Sequence, residues 1–463
     1  MLSRRHIIWA SLFACACAEP EPGSGIDEAL AGGGTTVFDQ GSRAFSLSAR
    51  NIEDEHLSGF FVGNSFFNKN WVIAPASTTA RDGLGPTFNA TSCSGCHFRD
   101  GRGRPPLSAD EPMLSMLLRL SIPGQAEDGG PLPEPNYGGQ LQPQSIPGVP
   151  AEGRAVVSWT ELPGTYPDGA AYSLREPSYA FEDLAFGPLA DELLFSPRVA
   201  PHMIGLGLLE AIDEDTILAA ADPDDEDGDG ISGRPNYPLD PISGEHLLGR
   251  FGWKANQVGL VQQNAGAFAG DIGITSMVHG EENCPPPQVE CASAPTGTDA
   301  EGPELQDDLL DAVTVYSRLL AVPARREIDD PEVLLGRELF RDVGCDGCHT
   351  PMIVTGTLAG FPEVSEQTIF PYTDLLVHDM GPGLADGRPD YDADGSEWRT
   401  PPLWGVGLFD VVNDHALYLH DGRARGLEEA ILWHGGEAQA SRDAFTELDA
   451  SDRAALVRFV HSL

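Results

Sequence analysis

The stretches CSGCH, residues 93–97, and CDGCH, residues 345–349, decide how this chain is read. Two thiols three positions apart, followed at once by a histidine, form the C-x-x-C-H signature of c-type haem attachment. The thiols reach the two vinyl groups of one porphyrin, and the histidine takes the iron as its proximal ligand. A thioredoxin-like redox motif or half of a zinc site would account for a C-x-x-C pair, but neither needs the following histidine twice. The sequence therefore predicts two covalently bound haems c, one on Cys93, Cys96 and His97, the other on Cys345, Cys348 and His349.

Outward from the second motif, Asp330-Pro331 is a helix start, and EVLLGRELF (332–340) is the helix body leading into the haem loop. The chain ends in LDASDRAALVRFVHSL, with Asp449 as the cap and Leu456, Phe459, Val460 and Leu463 on one helical face. A helix before the motif and a closing helix packed across it describe a cytochrome c domain, placed at 305–463. The first motif lies in a larger domain, 36–304, with strand-like runs at 117–122, 155–159 and 171–174 and a helix-like apolar run at 203–212. The predicted fold is mainly α with long loops and minor β: two cytochrome c-like domains, the N-terminal one enlarged by insertions. Glycine and proline together make 53 and 38 of 463 residues, in keeping with long loops.

The N-terminus reads as a processed segment. Arg4, Arg5 and His6 precede a short apolar run at 7–14, and LFAC (12–15) resembles the lipobox of bacterial lipoproteins. Cys15 is the lipidated residue in one register and Cys17 in a second; an ordinary cleaved signal peptide is the alternative. The expectation is a lipoprotein signal at 1–17, a flexible tether at 18–35, and a mature protein held by a lipid on the periplasmic side of a bacterial membrane, the outer membrane, or free in the periplasm. Export also makes a disulfide between Cys284 and Cys291 reasonable as a loop staple. No stretch reaches the ~18 apolar residues of a membrane span.

Charge excludes further classes. With 28 Lys and Arg against 71 Asp and Glu, the formal net charge is −43. A nucleic-acid binder needs a basic footprint, and there is none here. The same acidity disfavours anionic membrane surfaces; solubility accounts for it first, with a salty environment or a basic redox partner as the other readings.

Several segments in order, GLGPTFNATSCSGCHFRDGRGRPP (83–106), YGGQLQ (137–142), SPRVAPHMIGLGLLEAI (196–212), LLGRFGWKA (247–255), EWRTPPLWGVGL (397–408) and YLHDGRARGLEEAILWHGGEA (418–438), resemble the bacterial di-haem oxidoreductases, a peroxidase or "thiol oxidoreductase" family similar to the di-haem cytochrome c peroxidases and to MauG. The resemblance implies an oxidoreductase in which one haem receives electrons from a small donor protein, a cytochrome c or a cupredoxin, and the other holds hydrogen peroxide or a related oxidant. The rival expectation is a di-haem electron-transfer lipoprotein without peroxide turnover, both irons six-coordinate.

The sixth ligands divide these readings, because a vacant position permits chemistry and a filled one favours electron transfer. In di-haem peroxidases a Y-x-H-D-G segment precedes a helix carrying the distal ligand, usually Met. Here Tyr418-Leu419-His420-Asp421-Gly422 leads into LEEAILWH, and His434 stands at the Met position, with Met380 and His378 as competitors and His420 as a hydrogen-bonding neighbour of the haem. For the first haem, His202, His246, Met113 and Met116 are candidates, none decisively placed. If that site is open, peroxide cleavage needs a group that moves a proton from one peroxide oxygen to the other. Glu210, the only acid in its apolar run, is the expected acid–base residue, with Gln140 and Gln142 orienting the peroxide. Trp253 is a candidate electron relay between the haems, with Trp404 and Trp159 as rivals. A D-x-D-x-D-G pattern at Asp225, Asp227 and Asp229 is a candidate calcium loop, repeated at Asp390, Asp392 and Asp394.

Overall fold

The computed structural model describes residues 27–298 and 302–463. The lipobox, with Cys15 and Cys17, lies outside them. Among the described residues are twelve α-helices and several small antiparallel sheets. None of the helices is long and apolar enough to cross a membrane.

Two helix pairs frame the haem motifs. Pro331–Asp342 begins as its sequence requires, with the Asp330 carboxylate accepting from the backbone N–H of Glu332 and Val333. It packs against Ala450–Ser462, capped in the same way by Asp449. Asp54–Asn68, ahead of the first motif, packs against Asp307–Arg318. The two crossings repeat one geometry. A Cβ on Gly63 would lie 2.0 Å from the Ala312 carbonyl oxygen and 2.7 Å from Tyr316 Cβ; on Gly336 it would lie 2.0 Å from the Ala455 carbonyl oxygen and 2.7 Å from Phe459 Cβ. Only glycine lets the backbones approach so closely, with an aromatic ring from the partner helix closing over the gap. Asp307–Arg318, on the C-terminal side of residue 305, thus packs with the first haem's elements.

The strand expectations extend in both directions. Met116–Gln125 is the centre of a three-stranded sheet between Pro131–Leu132 and Leu194–Val199. Arg154–Thr165 and Ala171–Glu182 form one long hairpin, paired from Arg154 with Glu182 to Thr165 with Ala171. The helix-like run at 203–212 is helical only at Leu206–Glu210. Cys284 and Cys291 are joined by a disulfide.

One buried cluster runs from Ala31 to Leu463 and joins both haem regions in a single core. The part of the expected tether that is described, 27–35, is packed rather than free. Glu28 bridges Arg325 and Arg337, the Gln367 side chain accepts from the Gly34 N–H, and Phe370 N–H donates to the Ala31 carbonyl. The small residues AGGG (31–34) allow this close approach, which their composition alone presents as flexibility.

Candidate haem sites and the region between them

Each C-x-x-C-H motif opens onto its own cavity of about 190 Å³. Cys345, Cys348 and His349 line one, and Cys93, Cys96 and His97 the other. Both histidines are aimed by the same device. His97 Nδ1 lies 2.7 Å from the Pro201 carbonyl and His349 Nδ1 lies 2.9 Å from that of Tyr372, leaving Nε2 for the iron. Burial pushes the Cys93 and Cys345 thiols up to about 12.

In the second cavity His434 stands where the sequence places it, at the C-terminus of Leu427–Trp433. Its Nδ1 is 2.8 Å from the Ala430 carbonyl, the third instance of the same anchoring. His378 also lines this cavity, but its Nε2 lies 2.8 Å from Asp374 and its Nδ1 2.8 Å from Glu437. Burial opposes its charge, yet hydrogen bonds with Asp374, Cys348 and Glu437 hold it protonated up to about 12. An imidazolium with both nitrogens engaged has no lone pair for iron. His420, expected as a hydrogen-bonder beside the haem, lines the same cavity and stacks on Trp398, with ring centroids 3.6 Å apart, and burial lowers it to about 3. Met380 lines the cavity as well.

The first cavity is more polar. Asn89, Arg119, Arg198, Asn256, Gln263 and Asp271 line it with Met116 and His202. His246 and Met113 are not among its lining residues; His246 is tied to the Tyr237 carbonyl and packs on Tyr391.

Glu210 is not brought to this cavity. Its carboxylate holds Arg318 at 2.5 and 3.1 Å and accepts from the Leu260 N–H at 2.9 Å, capping Leu260–Ala267. The pairing with Arg318 satisfies the charge, and neither residue lines a cavity. Gln140 and Gln142 stand behind the cavity wall. The Gln140 amide donates to Asp271 Oδ1 at 2.8 Å, to Asn89 Oδ1 at 2.5 Å and to the Gly270 carbonyl, which Gln142 also holds. They position Asp271 rather than touch a ligand. Asp271 is therefore the carboxylate that lines the first cavity, and its field acts on Cys93, Cys96, His97 and Arg119. Sequence reasoning passed over it, although GAFAGDIGIT (266–275) carries the same signal as the run around Glu210, a lone acid among small and apolar residues.

Trp253 lines both cavities, its indole N–H donating to the Val199 carbonyl at 2.9 Å. Trp404 is buried but lines neither, and Trp159 lies under Arg175 in the hairpin. Arg102, His202 and Arg399 also line both cavities.

The acidic loops differ. Asp222, Asp225 and Asp227 bring carboxylate oxygens within 4.8 Å of one another, whereas Asp229 turns to the Ile231 N–H and Asp222 takes its place in the group. The second pattern has no converging carboxylates. Asp390 pairs with Arg198 and Arg388, and the loop is filled by the Lys254 ammonium, which donates to Asp386 at 3.0 Å and to the Arg388 and Asp394 carbonyls at 2.8 and 2.7 Å.

Two haem-attachment motifs, each with an anchored histidine on a largely apolar cavity, define a di-haem protein. Residues 26–463 match the family described as "Di-haem oxidoreductase, putative peroxidase", and the chain belongs to that family. A hydrazine synthase of Kuenenia stuttgartiensis, solved under xenon pressure, aligns with 99% of this chain and 100% of its own at 14% identity and a TM-score of 0.35. No curated protein matches.

Proposed function

We propose that this chain is an exported di-haem c oxidoreductase that reduces a peroxide in the first cavity with electrons entering through the second. The observation that carries this reading is the asymmetry of the two sites. The second cavity holds two backbone-anchored histidines, His349 and His434, suited to a six-coordinate electron-transfer haem. The first holds one, His97, opposite in character to a lining that includes Asp271, Arg119 and Asn89. The paired helix crossings at Gly63 and Gly336 support a cytochrome c fold around each motif.

When bound, the haems supply an iron that holds the peroxide and a store of electrons. The chain supplies the rest. Reduction of hydrogen peroxide takes two electrons and two protons, breaks the O–O bond and releases two waters. Asp271, held by Gln140, would be the group that moves a proton from one peroxide oxygen to the other as the O–O bond breaks. Arg119, beside Asp271, balances negative charge on the departing oxygen. Trp253, shared by both cavities, offers an aromatic route between the haems.

The donor is a small basic cytochrome c or cupredoxin, matched to the net charge of −43. The lipobox supports a lipid anchor on the periplasmic side of the membrane. Calcium is proposed at Asp222, Asp225 and Asp227; calorimetry on the haem-loaded protein tests it, and the absence of a binding heat returns these residues to solvated acids. The principal test is a pyridine haemochrome assay with electron paramagnetic resonance of the oxidised and half-reduced protein. Two haems c, with one high-spin signal after half-reduction, and peroxide turnover are expected. Two low-spin signals throughout without turnover select the electron-transfer alternative, with His202 or Met116 as the sixth ligand of the first haem.

A further inference from the structure

Buried arginines in this protein are, as a rule, matched to carboxylates. Arg198 and Arg388 hold Asp390, Arg423 holds Asp421, Arg325 holds Glu28 and Arg453 holds Asp168. Three depart from this rule: Arg175, which lies over the Trp159 ring and lines neither cavity, and Arg102 and Arg399, only 6% and 8% exposed. Arg102 donates to the Leu417 and Leu419 carbonyls, and Arg399 to those of Gly252 and Thr400. Among the described residues neither forms an ion pair. Burial lowers both to about 10. A buried charge of this kind is strongly unfavourable unless an anion joins it. Arg102 and Arg399 line both cavities, and so does His202, whose Nδ1 is buried without a partner.

The missing anion belongs to the cavities. Each haem carries two propionate carboxylates on the edge of its ring, the groups a planar five-donor guanidinium recognises best. We propose that Arg102 and Arg399, together with His202, bind the propionates of both haems and form a shared electrostatic bridge that sets the two reduction potentials together. The inference rests on the two-haem reading above, but not on the peroxidase reaction. Because each arginine borders both cavities, removing one positive charge affects both irons. An uncompensated propionate favours the ferric state, so both potentials fall.

The test is a potentiometric titration of the full chain, the haems resolved by visible and paramagnetic resonance spectra, in wild type, Arg102→Gln, Arg399→Gln and the lysine variants of both. Haemochrome assay first counts the haems; fewer than two in wild type would defeat the two-haem reading itself, separately from the bridge. With two haems present, each glutamine variant is expected to lower the ferrous-to-ferric ratio of both haems at a fixed potential by tenfold or more, about 59 mV for a one-electron couple. The lysine variants, which keep the charge, should recover most of that loss. Wild-type potentials should be flat between pH 5 and 8, and the glutamine variants should acquire a pH slope as a freed propionate begins to titrate. Changes under twofold, a shift confined to one haem, or a wild-type slope across that range would overturn the proposal. Should the glutamine variants fail to retain haem, the lysine variants and the wild-type profile decide it.

Discussion

Asp271→Asn is the substitution that tests the peroxide site most directly. The Asp271 carbonyl accepts the N–H groups of Asn89 and Ala90 at 2.9 and 3.1 Å, contacts a side-chain change leaves alone. Asparagine has the same shape, and its amide oxygen can accept from Gln140 as Asp271 Oδ1 does at 2.8 Å. Fold, haem content and resting spectra should therefore persist. What disappears is the group able to take and return a proton. A positioned acid–base residue contributes roughly 10²–10⁴-fold. At about 1.36 kcal/mol per tenfold, that is a barrier increase of ~2.7–5.4 kcal/mol. The assay is steady-state oxidation of a pre-reduced donor cytochrome by hydrogen peroxide, with Glu210→Gln alongside. Asp271→Asn should lose at least a hundredfold, and Glu210→Gln, which loses the Arg318 ion pair, should lose stability while turning over within a few-fold of wild type. A loss below tenfold in Asp271→Asn, or a larger loss in Glu210→Gln, would refute the assignment.

Three further outcomes are expected. His434→Ala should convert the second haem to high spin, and His434→Met should keep it low-spin at a higher potential, since methionine ligation raises it; unchanged spectra in the alanine variant transfer the ligand role to Met380. Lys254→Met strands the Asp386 carboxylate, 2% exposed, and should cost ~3–5 kcal/mol in urea unfolding, as breaking a buried pair does; a cost under ~1 kcal/mol contradicts the pairing. Asp374 and Glu437 hold His378 protonated well above the usual 6.5, so its contribution is full below about 6.5 and is lost as pH rises through the raised value. His378→Gln should therefore flatten the decline in stability between pH 7 and 10, followed as a denaturant midpoint, and a decline as steep as wild type contradicts it.

What was legible in the sequence was what is local. The haem motifs and the capped helices at 331–342 and 450–462 follow from spacing over short stretches, and the runs at 155–159 and 171–174 marked the hairpin's strands but not their pairing. His434 was legible because its distance from Tyr418-Leu419-His420-Asp421-Gly422 fixes it on the next helix. Glu210 and Asp271 were not separable. Each is a lone acid in an apolar run, and what distinguishes them is Arg318, 108 residues along the chain from Glu210, and Gln140, 131 residues from Asp271. The packing of residues 307–318 with the first haem's helix has the same character. Nothing in that helix names Asp54–Asn68 as its partner; the close approach is allowed from the other side, by Gly63.

The two acidic loops make the same point in electrostatic terms. Both spell D-x-D-x-D-G, and a divalent cation would satisfy either sequence. Whether one is needed depends on the cations the fold already supplies. The loop at 390–394 has three, Arg198, Arg388 and Lys254, all buried, and Lys254 reaches in from a segment more than 130 residues earlier. One of only two lysines in the chain is spent inside the protein, where an ammonium with three oxygen partners does the work of a small metal ion. The loop at 222–229 has no such intruder. Its carboxylates converge on one another and are met by their own backbone N–H groups, Glu226 and Asp227 donating to Asp222 and Gly230 to Asp225. Three like charges within 4.8 Å repel unless a cation or solvent screens them, so this loop is the one whose conformation should respond to added calcium. Ser232, a few residues on, donates to the Glu437 carboxylate that also holds His378 beside Cys348. Calcium binding should thus be read at the second haem before it is read at the first.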